Sequence, residues 1–254
     1  MKVTFLGTGT SQGIPVLANN HPVCESDHPK DKRLRVSLLL SWDSFNFVID
    51  CGPDFRQQML REKVTKIDGI LLTHEHSDHT AGIDDIRPYY FNQGNISFYA
   101  QQRVFSNLYQ RFAYIFETEN KYPGAPTIDE IKISKRKSFK LGEKTVIPIE
   151  ALHGKLPILG FRIDNFTYLT DVKSIAEEEL EKIKGTKVLV INALKEATHH
   201  SHLSLPEALE LIEKIKPEKT YLTHVSHLMG FHEEVEKKLP KNVFLAFDTL
   251  KITL

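Results

Sequence analysis

Thr73-His74-Glu75-His76-Ser77-Asp78-His79 sets three histidines and two carboxylates within six residues, directly behind the apolar run Ile67-Asp68-Gly69-Ile70-Leu71-Leu72. A core has no use for so many imidazoles and carboxylates in one place, whereas zinc, manganese and iron bind these same groups. The spacing carries geometry too. His74 and His76 lie two apart and can face one way, while Asp78 and His79 fall on the following turn and can face a second ion. The stretch reads as a metal site at the mouth of a strand, which points to an α/β chain, the class that displays ligands at strand ends.

Working outward, strand-like runs lie at 3–6, 37–41, 45–49, 69–73 and 96–100, and again at 145–151, 159–163, 167–169, 188–192, 220–222 and 243–247. Helical stretches fall at 54–61, 102–112, 174–183 and 205–215. The last opens at Ser204 with Pro206 and Glu207 in its first turn, a helix-start pattern. No linker, low-complexity segment or solenoid repeat interrupts the 254 residues, so one domain over 1–254 with a well-buried core is expected.

Lysine plus arginine equal aspartate plus glutamate at 33 each, which leaves no net field to attract nucleic acid or an anionic membrane. Cys24 and Cys51 are too few for a disulfide framework. The first residues, Met1 to Gly7, run straight into a strand without the apolar core of a signal peptide. No segment has the length of a transmembrane helix. A cytoplasmic enzyme is expected, with a homodimer as the default assembly.

The HxHxDH pattern of residues 74–79 resembles the signature of the metallo-β-lactamase superfamily of metal-dependent hydrolases. That resemblance implies an αββα four-layer sandwich of two similar halves, and two divalent ions, zinc or manganese, as cofactors. It implies that His74, His76 and His153 hold one ion, that Asp78, His79 and His224 hold the other, and that Asp171 is shared. His153, Asp171 and His224 each follow an apolar strand-like run, at Ile149-Glu150-Ala151-Leu152, Phe166-Thr167-Tyr168-Leu169-Thr170 and Tyr221-Leu222-Thr223.

Further motifs resemble the phosphodiesterase branch of the superfamily, which includes the phosphoribosyl cyclic phosphate phosphodiesterases and, more distantly, the tRNA 3′-processing endonucleases. Gly7-Thr8-Gly9-Thr10-Ser11-Gln12-Gly13-Ile14-Pro15 looks like that branch's opening loop, and it lacks the Gly-x-Gly-x-x-Gly spacing of a nucleotide fingerprint. Asp50-Cys51-Gly52 matches its DxG element, whose aspartate orients the metal loop rather than binding the ion. In Thr198-His199-His200-Ser201-His202-Leu203-Ser204 the resemblance puts His202 at the leaving group, where an imidazole can donate a proton or stabilise phosphoryl charge. His199 and His200 have an equal reading as exposed loop residues. The branch's CxCxxC zinc element is degraded here to Asn19, His21 and Cys24, with His227 as the later histidine. Three ligands are short of a closed structural site, and hydrogen bonds can hold the loop instead. Aromatic residues at Tyr109, Phe112, Tyr114, Phe116 and Tyr122 can wall the substrate or simply pack.

The expected function is hydrolysis of small phosphodiesters or cyclic phosphates by a hydroxide shared between the two ions, with Asp78 and His202 as catalytic residues. A structured-RNA endonuclease like tRNase Z is the alternative, but the chain shows no Lys/Arg-rich arm for RNA. A non-catalytic binding protein on the same fold is the other reading, and loss of a ligand would signal it. Asp171 stands where some lactamases carry cysteine, which argues against lactam hydrolysis.

Overall fold

Leu38 and Leu40 face one side of their strand and Leu39 the other. The same alternation runs through Phe47-Val48-Ile49 and Ile70-Leu71-Leu72, and all of these side chains are buried. A sheet apolar on both faces has to be covered on both faces, and here one cover is a second sheet. The computed structural model describes residues 1–254.

The first sheet is built from β1 (Lys2–Gly7), β2 (Ser37–Trp42), β3 (Phe45–Ile49), β4 (Gly69–Leu71), β5 (Ile96–Ala100) and β6 (Ile128–Lys132). The second uses β7 (Phe139–Leu141), β8 (Lys144–His153), β9 (Leu156–Ile163), β10 (Phe166–Leu169), β11 (Val188–Asn192), β12 (Lys219–Thr223) and β13 (Val243–Leu245). The final strand, β14 (Lys251–Thr253), returns to the first sheet and pairs with β1. Spatial order is β14-β1-β2-β3-β4-β5-β6 in one sheet and β13-β12-β11-β10-β9-β8-β7 in the other.

The two halves repeat one another. β1 to β3 form an antiparallel meander and β3 to β6 run parallel; β8 to β10 and β10 to β13 do the same. Phe5, Leu38, Leu40 and Ile49 meet Leu159, Phe161, Phe166 and Tyr168 between the sheets. Phe55, Ile83, Phe105 and Leu108 cover the first sheet's outer face, and Ile183, Leu205, Ala208 and Ile212 cover the second's. These are the four layers of an αββα sandwich.

Three strands escape the sequence pattern: β6, β7 and β14 are short or edge strands whose polar faces show no core periodicity. The run at 69–73 ends as a strand at Leu71, because the Thr73 amide turns from the sheet to the Asp50 carboxylate, 2.8 Å away. The helix expected at 174–183 shrinks to Glu177–Glu181, since Ser174 bridges instead to Leu152. Helix Leu205–Ile215 has the expected bounds and carries a capping box between Ser204 and Glu207. No helix is long and apolar enough to cross a membrane.

Candidate metal centre

The loops leaving β4, β8, β10 and β12 converge between the two sheets' ends. The imidazoles of His74, His76 and His153 come together with their ligand atoms within 4.8 Å of one another. The same holds for Asp78, His79, Asp171 and His224. His153 and Asp171 share a third such group with His202, so the carboxylate of Asp171 adjoins both clusters. All seven residues expected as ligands are therefore in place. Asp171 and His224 hold their positions in the left-handed backbone region, with φ of 59° and 54°. Non-glycine residues seldom adopt that conformation, and it concentrates at functional sites.

The surroundings decide which ring nitrogen is free. Asp50, fully buried, accepts from the Thr73 amide at 2.8 Å, the Thr73 hydroxyl at 2.9 Å and His79 Nδ1 at 2.7 Å. With the Thr73 proton committed to Asp50, Thr73 Oγ1 can only accept from His74 Nδ1, 3.0 Å away. His153 Nδ1 lies 3.0 Å from the carbonyls of both Asp171 and Ser201, which can only accept. Each of the three rings thus carries its proton on Nδ1 and turns a lone pair on Nε2 into the centre. Nε2 of His74 is buried without a hydrogen-bond partner, and Nε2 of His79 and of His224 faces only carboxylate oxygens, at 3.2 and 3.1 Å. Such orphaned acceptors are costly to bury unless an ion or water satisfies them.

Charge points the same way. Asp50, Asp78 and Asp171 are paired only with histidines, with no lysine or arginine among them. Burial opposes ionisation of Asp171, yet His224 and His79 overcome it and hold its carboxyl well below the usual range. Burial also opposes charge on His79, but Asp78, Asp171 and Asp50 together push its pKa well above the ordinary imidazole value. Three buried carboxylates call for positive charge, which either a second proton on His79, at Nε2, or an ion bound at that atom would supply. His74 has the opposite fate, since burial and then His79 keep it neutral. The donor set of neutral imidazoles and carboxylates fits a divalent transition metal or zinc.

His202 lies beside this centre with Nε2 3.1 Å from Asp171 Oδ1 and its ring 4.5 Å from His153. Burial lowers its pKa to about 4, against the hydrogen bond to Asp171. At neutral pH it is thus uncharged even beside Asp171, and a further anion against it would favour its protonation.

His199, equally readable from sequence as a loop residue, is half-buried and approaches His202. His200 is exposed. Two arginines that no motif marks hold the loop of residues 75–80: Arg103 pairs with Glu75, and Arg111 donates to the Glu75 carbonyl at 2.9 Å and to Thr80 Oγ1 at 2.8 Å. Both come from helix Gln102–Arg111, so the aromatic stretch serves chiefly as packing: Tyr109, Phe112 and Phe116 lie against the outer core of the first sheet, while Tyr122 is exposed. His21, Cys24 and His227 do not gather as a ligand group. Asn19 Nδ2 bonds His227 at 3.3 Å, His21 Nδ1 accepts from the Val23 amide at 3.3 Å, and Cys24 Sγ accepts from the Val16 amide at 3.5 Å. The loop is held by hydrogen bonds.

Fold and centre together are of the metallo-β-lactamase type, a class of metal-binding hydrolases. The Beta-lactamase superfamily domain matches residues 45–225, more than half of the chain, and the protein belongs to that superfamily. It is 36% identical to a solved structure described as a new diphosphatase from the PhnP family, with a TM-score of 0.92 over 99% of this chain and 97% of that one. An octanoyltransferase of Porphyromonas gingivalis is 38% identical over 253 residues, 99% of this chain. The chain spans only 51% of that relative's length. A ribonuclease Z of Methanococcus maripaludis is 35% identical over 85 residues, 33% of this chain and 22% of the relative.

Proposed function

We propose that the protein is a dinuclear metal-dependent phosphodiesterase acting on small phosphodiesters or cyclic phosphates. The observation that carries this reading is the adjacency of two ligand groups, His74/His76/His153 and Asp78/His79/Asp171/His224, with His202 against the carboxylate that joins them. Two divalent ions, zinc or manganese, would neutralise phosphoryl charge there and acidify a water for attack. The chain's own residues do the rest. Asp50, Thr73 and the carbonyls of Asp171 and Ser201 keep the ligating nitrogens unprotonated. Asp78 is held ionised, chiefly by His79 against the cost of burial, and can orient the attacking water or take its proton. His202 Nε2 faces the same space and donates to the departing oxygen once an anionic phosphoryl group lies against it.

The relative named as a diphosphatase supports a phosphorus centre as the target, and a phosphoanhydride is the neighbouring substrate class. The name of the Porphyromonas relative supports acyl transfer less, because half of that protein lies outside the match and both cysteines here are buried. The ribonuclease likeness covers too short a stretch to favour RNA, and the balanced charge supplies no phosphate-tracking surface.

Metal-saturated protein should hydrolyse bis-p-nitrophenyl phosphate and a cyclic nucleotide, and leave a precursor tRNA intact. His202→Ala should keep its metal and lose kcat by about 10²–10⁴-fold on an alkyl ester, but much less on p-nitrophenyl esters, whose leaving group needs no proton. Cleavage of the tRNA at far higher kcat/KM than the small esters would overturn the substrate class. Equal losses on both leaving groups would remove proton donation by His202.

A further inference from the structure

We propose that His199 is a positioning residue for His202, an inference that rests on His202 serving the leaving oxygen. His199 Nδ1 stands 3.1 Å from His202 Nδ1, and the two rings are 5.1 Å apart. The Ser201 amide donates to His199 Nδ1 at 3.4 Å. A backbone N–H has no acceptor capacity, so this nitrogen of His199 carries a lone pair. In the doubly protonated form that serves the leaving oxygen, His202 gives its Nδ1 proton to this contact and its Nε2 proton to Asp171 Oδ1, which as a carboxylate can only accept. Ser201 Oγ, 3.3 Å from one Nδ1 and 3.1 Å from the other, closes the same small network.

The effect is directional. With its Nδ1 end tied back to His199, the His202 ring presents Nε2 to the centre, 3.1 Å from Asp171 Oδ1. An imidazole can otherwise turn about its last side-chain torsion, a broad and soft one. The loop gives His199 a firm base on one side: Leu203 N bonds Val172 O at 2.8 Å, and the Ser201 carbonyl takes His153 Nδ1. His199 itself belongs to no ligand group and has a partly exposed side chain. The arrangement parallels the general pattern in which a third group orients the histidine that handles the proton.

Two variants separate the hydrogen bond from mere bulk. His199→Leu fills the space and offers no acceptor; His199→Asn places Oδ1 near the position of Nδ1. With metal-saturated protein, His199→Leu should lower kcat on an alkyl phosphodiester by at least about tenfold, with KM, metal content and Tm unchanged. The loss should be under about threefold on bis-p-nitrophenyl phosphate, and His199→Asn should recover most of the alkyl-ester activity. Wild-type kcat for His199→Leu, while His202→Ala retains its leaving-group-dependent defect, would overturn the role of His199 and leave the function standing. Equal impairment of both His199 variants, or losses that track metal content or Tm, would overturn it in favour of a structural role. A His202→Ala variant with no leaving-group dependence would overturn both readings at once.

Discussion

Replacing Asp50 by asparagine tests the centre without touching an expected ligand. The native carboxylate accepts three hydrogen bonds, from the Thr73 amide at 2.8 Å, the Thr73 hydroxyl at 2.9 Å and His79 Nδ1 at 2.7 Å. An asparagine has one acceptor oxygen. If that oxygen faces His79, its NH₂ meets the Thr73 N–H donor to donor. If it faces Thr73, the NH₂ meets His79 Nδ1 and forces the proton to Nε2, the atom turned toward Asp78 and Asp171 at 3.2 and 3.3 Å. Either orientation leaves one buried donor unmet, a cost of about 1–3 kcal/mol. Loss of a partner behind a ligating histidine typically weakens metal binding about 10–100-fold, which is about 1.4–2.7 kcal/mol. The loss should fall on the ion held by His79 more than on the one held by His74, because His74 reaches Asp50 only through Thr73. Competition titrations with a chelator, on wild type and Asp50→Asn, measure the two ions in turn. Activity should fall at limiting metal and largely return at saturation. Unchanged affinity for both ions in a folded Asp50→Asn protein would refute the assignment of the ligating nitrogens.

Three other outcomes are expected. Gly52→Ala should lose metal even in excess ion, because the new Cβ would stand 2.0 Å from the Asp78 carbonyl oxygen and drive the ligand turn aside; metal content by emission spectroscopy checks this, and full occupancy would contradict it. Stripping the metal should lower Tm, since ions at a thousand times their Kd contribute about 4 kcal/mol per site; calorimetry with and without chelator shows whether it does. His232, whose pKa burial and then Arg33 lower to about 4, is neutral in the fold and takes a proton on unfolding, so stability should decline as pH falls from 6.5 toward 4. His232→Asn keeps an acceptor for Arg33, 3.1 Å away in the wild type, and should flatten that decline in denaturant melts, though Asp31, Glu236, His28 and Lys30 also face the ring.

Much of the centre was legible because its chemistry is local. Residues 74–79 supply four of the seven expected ligands in one turn, and their residue types are too polar for any role in a core. His153, Asp171 and His224 stand 74 or more residues further along and became legible only through the resemblance, since one histidine after an apolar run has many ordinary explanations. The arginine clamp on the metal loop could not be read at all. Arg103 and Arg111 lie 24 and 32 residues beyond His79, and what gives them meaning is the docking of their helix against residues 75–80. In the fold, strands buried on both faces announced themselves, whereas β6, β7 and β14 did not. An edge strand answers to its neighbour's hydrogen bonds rather than to a hydrophobic period of its own.

The repeated halves show how one device came to serve two purposes. Asp50 follows β3 and Asp171 follows β10, the third strand of each six-strand unit, and both adopt left-handed backbone, with φ of 62° and 59°. In the first half the aspartate side chain ties its loop to the end of the next strand, through the Thr73 amide. The second half needs the same tie, but there Asn192, at the end of β11, makes it: its Oδ1 accepts from the Val172 amide at 2.7 Å and its Nδ2 donates to the Val172 carbonyl at 3.0 Å. With the strand ends joined by an uncharged amide, the Asp171 carboxylate makes no strand tie and, held by the Thr170 hydroxyl at 2.7 Å, faces His79, His202 and His224. Asp50 has all its acceptor capacity on that side committed and cannot reach an ion in the same way. The charge set among the expected metal ligands and the charge that orients those ligands thus occupy one position in a repeated scaffold, and a neighbouring asparagine makes the strand tie that frees Asp171 for the first task.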